Sequence, residues 1–190
     1  MMIFHSTATA LVVLLTLTAC SSADHSPPGQ SGTPAGVDTS LPPQVSTPAP
    51  TPADEAGEHS TETYRAMWGA YATAATTADW QSPELSRHAT GTALSTLTRG
   101  LFTKHQQGIV ARGHPVVNPA VSSVEPFHAP AKVVISDCGD STGWTEHHAD
   151  TGLPAEGEPG GRRHIDAIVE KQADGSWKVT DFGVQEVGTC

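Results

Sequence analysis

The apolar residues of this chain change period at Gly108, and that change confines it to helices first and strands afterwards. Upstream, Met67, Ala70, Tyr71, Ala74 and Ala75 recur at helical spacing in an alanine-rich helix expected over 62–78. A second helix is expected over 82–107, with Ser82 as N-cap, Pro83 at the first helical position and Glu84 in the first turn. Leu85, Ala89, Ala93, Leu94, Leu97 and Leu101 line one side of it. Gly91 falls inside this helix, where glycine costs about 1 kcal/mol against alanine, so close packing is expected there. Gly108 is the natural stop. Downstream, β-branched residues alternate with polar ones, which predicts strands at 109–111, 115–125 (interrupted at Pro119), 132–138, 163–172 and 177–184. In the fourth, Ile165, Ala167 and Val169 face one way while His164, Asp166 and Glu170 face the other. Ala173-Asp174-Gly175-Ser176 is a hairpin turn joining the last two strands. Helices followed by antiparallel strands make an α+β domain whose helices cover one sheet face.

That domain is expected over 62–190, about 130 residues, enough for one core. The chain carries twenty acids and ten bases. Five of the acids precede residue 62, leaving fifteen against ten in the domain. This mild acidity, with no clustered basic face, argues against a nucleic-acid partner. No internal repeat is visible.

Ahead of the domain the composition shifts sharply. Residues 20–61 are expected to be a disordered tether: 21–60 hold eight of the fifteen prolines, no Lys or Arg, and no aromatic residue. Runs such as Pro48-Ala49-Pro50-Thr51-Pro52 favour extended polyproline II. Forty such residues reach on the order of 100 Å stretched, or about 35 Å root-mean-square if flexible. Residues 1–19 read as a signal peptide. The apolar run from Ala10 to Leu17 is shorter than the about 20 residues a bilayer-spanning helix requires. One departure is that Met1 to Thr9 carry His5 but no Lys or Arg, where a positive n-region is normal.

Leu17-Thr18-Ala19-Cys20 closes that run and resembles the lipobox of bacterial lipoproteins. The resemblance implies that Cys20 is acylated, becomes the mature N-terminus, and holds the protein on the outer face of the plasma membrane. Stable anchoring takes two or more acyl chains, and a diacylglyceryl cysteine supplies them. The bland alternative is an ordinary signal peptide with an incidental cysteine.

Within the domain, Tyr64-Arg65-Ala66-Met67-Trp68, His88-Ala89-Thr90-Gly91, Asp137-Cys138-Gly139-Asp140-Ser141 with Trp144, Trp177-Lys178-Val179 and Gly188-Thr189-Cys190 resemble a group of secreted actinobacterial lipoproteins of uncharacterised function. The element order is similar to the nuclear-transport-factor-2-like superfamily. That resemblance implies a cone, with N-terminal helices packed on a curved antiparallel sheet. The superfamily includes conical-pocket isomerases, dehydratases and non-catalytic binding modules, so the fold assigns no reaction.

Cys138 and Cys190 are the thiols left once Cys20 is acylated. An exported compartment permits disulfides, and one pair allows one intradomain connectivity. The alternatives are a reactive thiol or a metal-ligand pair, and a chain terminus positions a nucleophile poorly.

The candidate chemistry is thin. Glu146-His147-His148-Ala149-Asp150 lies in an expected polar loop, with His164 as a third donor for zinc or copper. No His-x-x-x-His or Cys-x-x-Cys spacing supports it, so neither a metal nor any other cofactor is expected. The glycines from Gly157 to Gly161 lack a phosphate loop's lysine and make a turn. By the superfamily resemblance, an acid or base in the cone would come from Tyr71, Asp79, His88 or Asp137, beside Trp68 as pocket wall. Their bland roles are helix-end and strand-end bonding for Asp79 and Asp137 and packing for His88. Trp68, Trp80, Trp144 and Trp177 pack the core or rim, or line a ligand cavity.

The expected function is a membrane-anchored, non-catalytic binding or assembly module of the cell envelope, taking an envelope protein or a small apolar ligand. The alternatives are an isomerase- or dehydratase-like enzyme and a purely structural envelope protein. An open apolar cavity holding a convergent Asp or His would favour the enzyme. A cavity without titratable groups favours ligand binding, and a filled cone favours the scaffold.

Overall fold

A computed structural model describes residues 49–157 and 159–190. The expected signal peptide, Cys20 and most of the tether lie outside the described residues. No helix among the described residues is long and apolar enough to cross a membrane.

The first helix, α1, spans Pro52–Ala75 and therefore begins ten residues before the expected start. The end of the expected tether, 52–61, is helical instead. The reason is local and strong. Thr51 caps the helix in extended conformation, Pro52 occupies the first turn, and Thr51 and Asp54 form a reciprocal capping box. The same prolines and acids that gave the tether its composition open a helix here. Ala53, Ala56, Gly57 and Ser60 are buried along it, so tertiary packing adds to the cap.

The expected second helix is two. A short α2 covers Pro83–His88 and α3 covers Gly91–Gln107. Ala89 and Thr90 leave the helix to pair with the last strand: Ala89 bridges Val179 in parallel, and Thr90 N–H donates to Val179 O at 2.9 Å. Gly91 has φ +57°, a left-handed backbone that glycine adopts without a Cβ penalty. It marks a break rather than the middle of a helix, and the expected close packing is present, since a Cβ there would stand 3.3 Å from Thr180 O. Gly108 ends α3 in left-handed conformation, as expected.

The strands are β1 (Ile109–Arg112), β2 (Ala120–Glu125), β3 (Lys132–Asp140), β4 (Thr145–His148), β5 (Arg162–Lys171) and β6 (Trp177–Val184). Four form an antiparallel sheet in the order β2-β3-β5-β6, with bulges at Val121/Ser123 and Ile168/Val169. Bulges bend a strand and raise its twist. The remaining pair, β1 and β4, forms a separate antiparallel ribbon. The expected polar loop at 146–150 is thus partly strand. Its Thr-Glu-His-His sequence has no apolar alternation, and pairing with β1 decides its conformation.

The core lies between the helices and one face of the larger sheet. Val133, Ile135, Ile165, Ala167, Val169 and Val179 supply the sheet side. Met67, Leu85, Leu97 and Leu101 supply the helix side. The α+β architecture read from the change of period is the one observed.

Candidate functional site

A cleft of about 960 Å³ opens at one end of this core. Its walls come from α1, α3, the β1–β4 ribbon and the facing ends of β5 and β6. Trp68 and Tyr71 project from successive turns of α1 and meet edge to face, 6.0 Å between ring centroids. Trp144, in the turn before β4, makes a similar contact with Tyr71 at 5.5 Å, and Phe182 of β6 does so with Trp68 at 5.6 Å. Four aromatic side chains from three distant segments thus interlock along one wall. Leu97, Leu101 and Ile165 add aliphatic surface. Gly100 makes room for the Tyr71 hydroxyl, since a Cβ on it would stand 3.0 Å from that oxygen.

Polar side chains, Thr96, Gln107, Ser141, Thr142, Thr145 and Glu156 among them, share the lining with the apolar ones. Lys104 Nζ meets Glu146 Oε2 at 2.6 Å, joining α3 to β4 across the rim, with both side chains partly exposed. Burial, with the Glu146 charge adding to it, pushes the Tyr71 phenol above its usual range, so it stays a neutral hydroxyl at ordinary pH. The Trp144 indole N–H is buried without a protein partner. Among the described residues no Asp or His lines the cleft; its carboxylates are Glu146 and Glu156.

Of the expected pocket residues, the structure brings together Trp68 and Tyr71 and leaves out His88 and Asp137. Asp137 is 3% exposed and lies within β3 on its core face. There Tyr64 Oη donates to Oδ2 at 3.0 Å and Asn118 N–H donates to Oδ1 at 2.8 Å. Its carboxylate is sealed beneath α1 and points into no cavity. Burial raises the Tyr64 phenol, and the Asp137 charge raises it further. His88 closes the last turn of α2, half-buried, where burial lowers its pKa. Asp79 caps its own turn by accepting from Gln81 N–H at 3.1 Å.

The histidine cluster is dispersed. The His147 ring lies within hydrogen-bond reach of Thr145 Oγ1 and Gly152 O, while His164 pairs with Asp166 along β5. No three His, Cys, Asp or Glu groups converge on a cation position among the described residues. Cys138 and Cys190 are joined in a disulfide.

No family model matches the chain, and no curated protein does. Several solved structures are similar to it. The intermembrane-space region of the chloroplast protein ARC6 is 13% identical and matches over 67% of this chain and 95% of its own, with a TM-score of 0.46. A protein of unknown function with a cystatin-like fold from Nostoc punctiforme is 10% identical over 73% and 95%, at 0.40. A ketosteroid isomerase-like protein from Erwinia carotovora is 16% identical over 64% and 91%, at 0.35.

Sequence reasoning missed Phe182 and Lys104 as wall and rim. Phe182 sits past a bulge, where strict alternation no longer reports its face. Leu97 and Leu101 were legible as a core stripe, but a stripe does not say which part faces a void.

Proposed function

We propose that this protein is a lipid-anchored, extracytoplasmic binding module of the cell envelope, whose cleft takes a small, largely apolar ligand. The observation that carries the ligand reading is the cleft itself, open and walled by interlocked aromatic and aliphatic side chains. Ligand sites are typically concave, mostly apolar and equipped with a few placed polar groups. Here those groups are the Tyr71 hydroxyl and the polar side chains of the lining, Lys104, Gln107, Ser141 and Glu156. The open volume weighs against a filled structural scaffold. The isomerase or dehydratase alternative needs an acid or base poised inside; the carboxylates of this cleft are Glu146, paired with Lys104 at the rim, and the exposed Glu156, and the Tyr71 phenol is held neutral, which weighs against it. The helices-then-sheet order and a cleft between the two layers support the finer reading of a nuclear-transport-factor-2-like cone. The Leu17–Cys20 pattern, the proline-rich stretch behind it and the disulfide support the extracytoplasmic, anchored part.

The test is titration of the full chain with an apolar fluorescent probe such as anilinonaphthalene sulfonate, following Trp quenching and probe emission together. Ala111 lies on β1 at the cleft wall and is only partly buried, so Ala111→Trp fills space without opening the core. Probe affinity is expected to fall at least tenfold in that variant, with its circular dichroism unchanged. Equal binding by both proteins, or no binding by either, would remove the ligand reading.

A further inference from the structure

The disulfide has an asymmetric surrounding. Cys138 sits in β3, and the Arg162 guanidinium faces its sulfur from the neighbouring strand, with Nε at 3.3 Å and Nη2 at 3.2 Å from Sγ. Cys190, the last residue, is exposed. Thiol–disulfide exchange is directional: the thiolate attacks the accessible sulfur, and the better stabilised thiolate leaves. A cation beside a sulfur stabilises its thiolate form. Both preferences select the same direction here, attack at Cys190 and departure of Cys138.

The bond also holds a strap. Gln185 N–H donates to His164 O at 2.9 Å, Gly188 N–H donates to Arg162 O at 2.8 Å, and His164 N–H donates to Thr189 Oγ1 at 2.8 Å. Val187 lies tight on Gly161, where a Cβ would fall 2.6 Å from Val187 Cγ1. Gly161 is bonded in turn to Ser141: Ser141 N–H donates to Gly161 O at 3.0 Å, and Gly161 N–H donates to Ser141 Oγ at 3.2 Å. Ser141 and Gly160 line the cleft. The C-terminal residues are therefore packed on the segment that forms the cleft mouth.

We propose that Cys138–Cys190 is a thiol-exchange site, opened by a dithiol reductant through attack on Cys190, and that its opening releases the strap from the cleft mouth. One thiolate of the reductant forms a bond to Cys190 Sγ as the Cys138–Cys190 bond breaks, and the electron pair departs on Cys138 Sγ beside the guanidinium. The reductant's second thiolate then attacks its own sulfur in the mixed disulfide and expels Cys190. Two electrons and two protons end on the two cysteines, and the dithiol ends as its disulfide. This step stands apart from the ligand reading of the cleft, and none of its tests requires a ligand.

Three measurements on the oxidised full chain decide it. Brief treatment with glutathione, quenching with an alkylating agent and peptide mapping should find glutathione on Cys190 and the alkyl label on Cys138. The reverse pattern, or an even split, overturns the direction of attack. Arg162→Gln should slow reduction by dithiothreitol about threefold or more, given the sensitivity of exchange to its leaving group, while Arg162→Lys keeps most of the rate. A purely structural Arg162 predicts the opposite sign, because a loosened strap is reduced faster, and an unchanged or faster rate in Arg162→Gln overturns the assignment. Reduction should raise amide hydrogen exchange across 140–142 and 160–164. Unchanged protection there overturns the release of the cleft mouth.

Discussion

Tyr64 donates its phenol to a carboxylate on a strand 73 positions away, and both groups are sealed from solvent. A buried carboxylate oxygen that loses its donor costs about 1–3 kcal/mol, so Tyr64→Phe should destabilise the fold by that amount in urea denaturation. The phenol also sets an alkaline limit. Its folded pKa is raised, by burial first and the Asp137 charge second, while the unfolded chain titrates near the ordinary 10.0. Below that value the contribution is fully present. Above it the unfolded state loses its proton and the folded state keeps it, so stability falls with pH at up to about 1.4 kcal/mol per unit for each such tyrosine. Tyr71, raised in the same direction, adds to the slope. Urea midpoints between about pH 8 and 11 should fall in the wild type and fall less steeply in Tyr64→Phe; parallel slopes would show that Tyr64 titrates normally. Nothing in the sequence around Tyr64 or Asp137 announces this bond. Tyr64 falls inside the expected first helix but outside its apolar stripe, Asp137 is a polar residue beside a cysteine, and the long-range partner alone reveals what they do.

Among the elements, the break between α2 and α3 is the clearest case of tertiary structure overruling local pattern. Ser82 to Gln107 has a starting cap, a continuous apolar stripe and a glycine stop, all of which describe one helix. The edge of β6 captures the backbone of Ala89 and Thr90 instead, and Gly91 supplies the left-handed turn that restarts the helix. Gly91→Ala must hold a Cβ at φ +57° and 3.3 Å from Thr180 O. It should lower stability by about 1–2 kcal/mol, read as a drop in Tm. A rise in Tm would mean that alanine heals the segment into a single helix. At Thr51 the lesson runs the other way. The capping box was present in the sequence, but the prolines around it read as tether because composition averages over exactly the residues that a cap uses singly. The β4 strand had no signal of its own, since its register comes wholly from β1.

For the molecule as a whole, the anchor and the cleft are separate propositions with separate tests. Cys20→Ala is expected to shift the protein from the membrane fraction to the medium, or to leave it unprocessed, on cell fractionation. Continued tight retention of a processed variant would sink lipid anchoring and leave the cleft untouched. That helices precede antiparallel strands, and which faces of β5 and of both helical regions are buried, follow from the sequence alone, because period is a local property. The pairing of Cys138 with Cys190 was open there to a reactive-thiol or metal-ligand reading, and the structure joins them. Where the helices start and break, and which side chains wall the cleft, were decided only by tertiary structure. Trp68, Leu101, Trp144 and Phe182 are far apart along the chain, and a shared void exists only once the layers have packed.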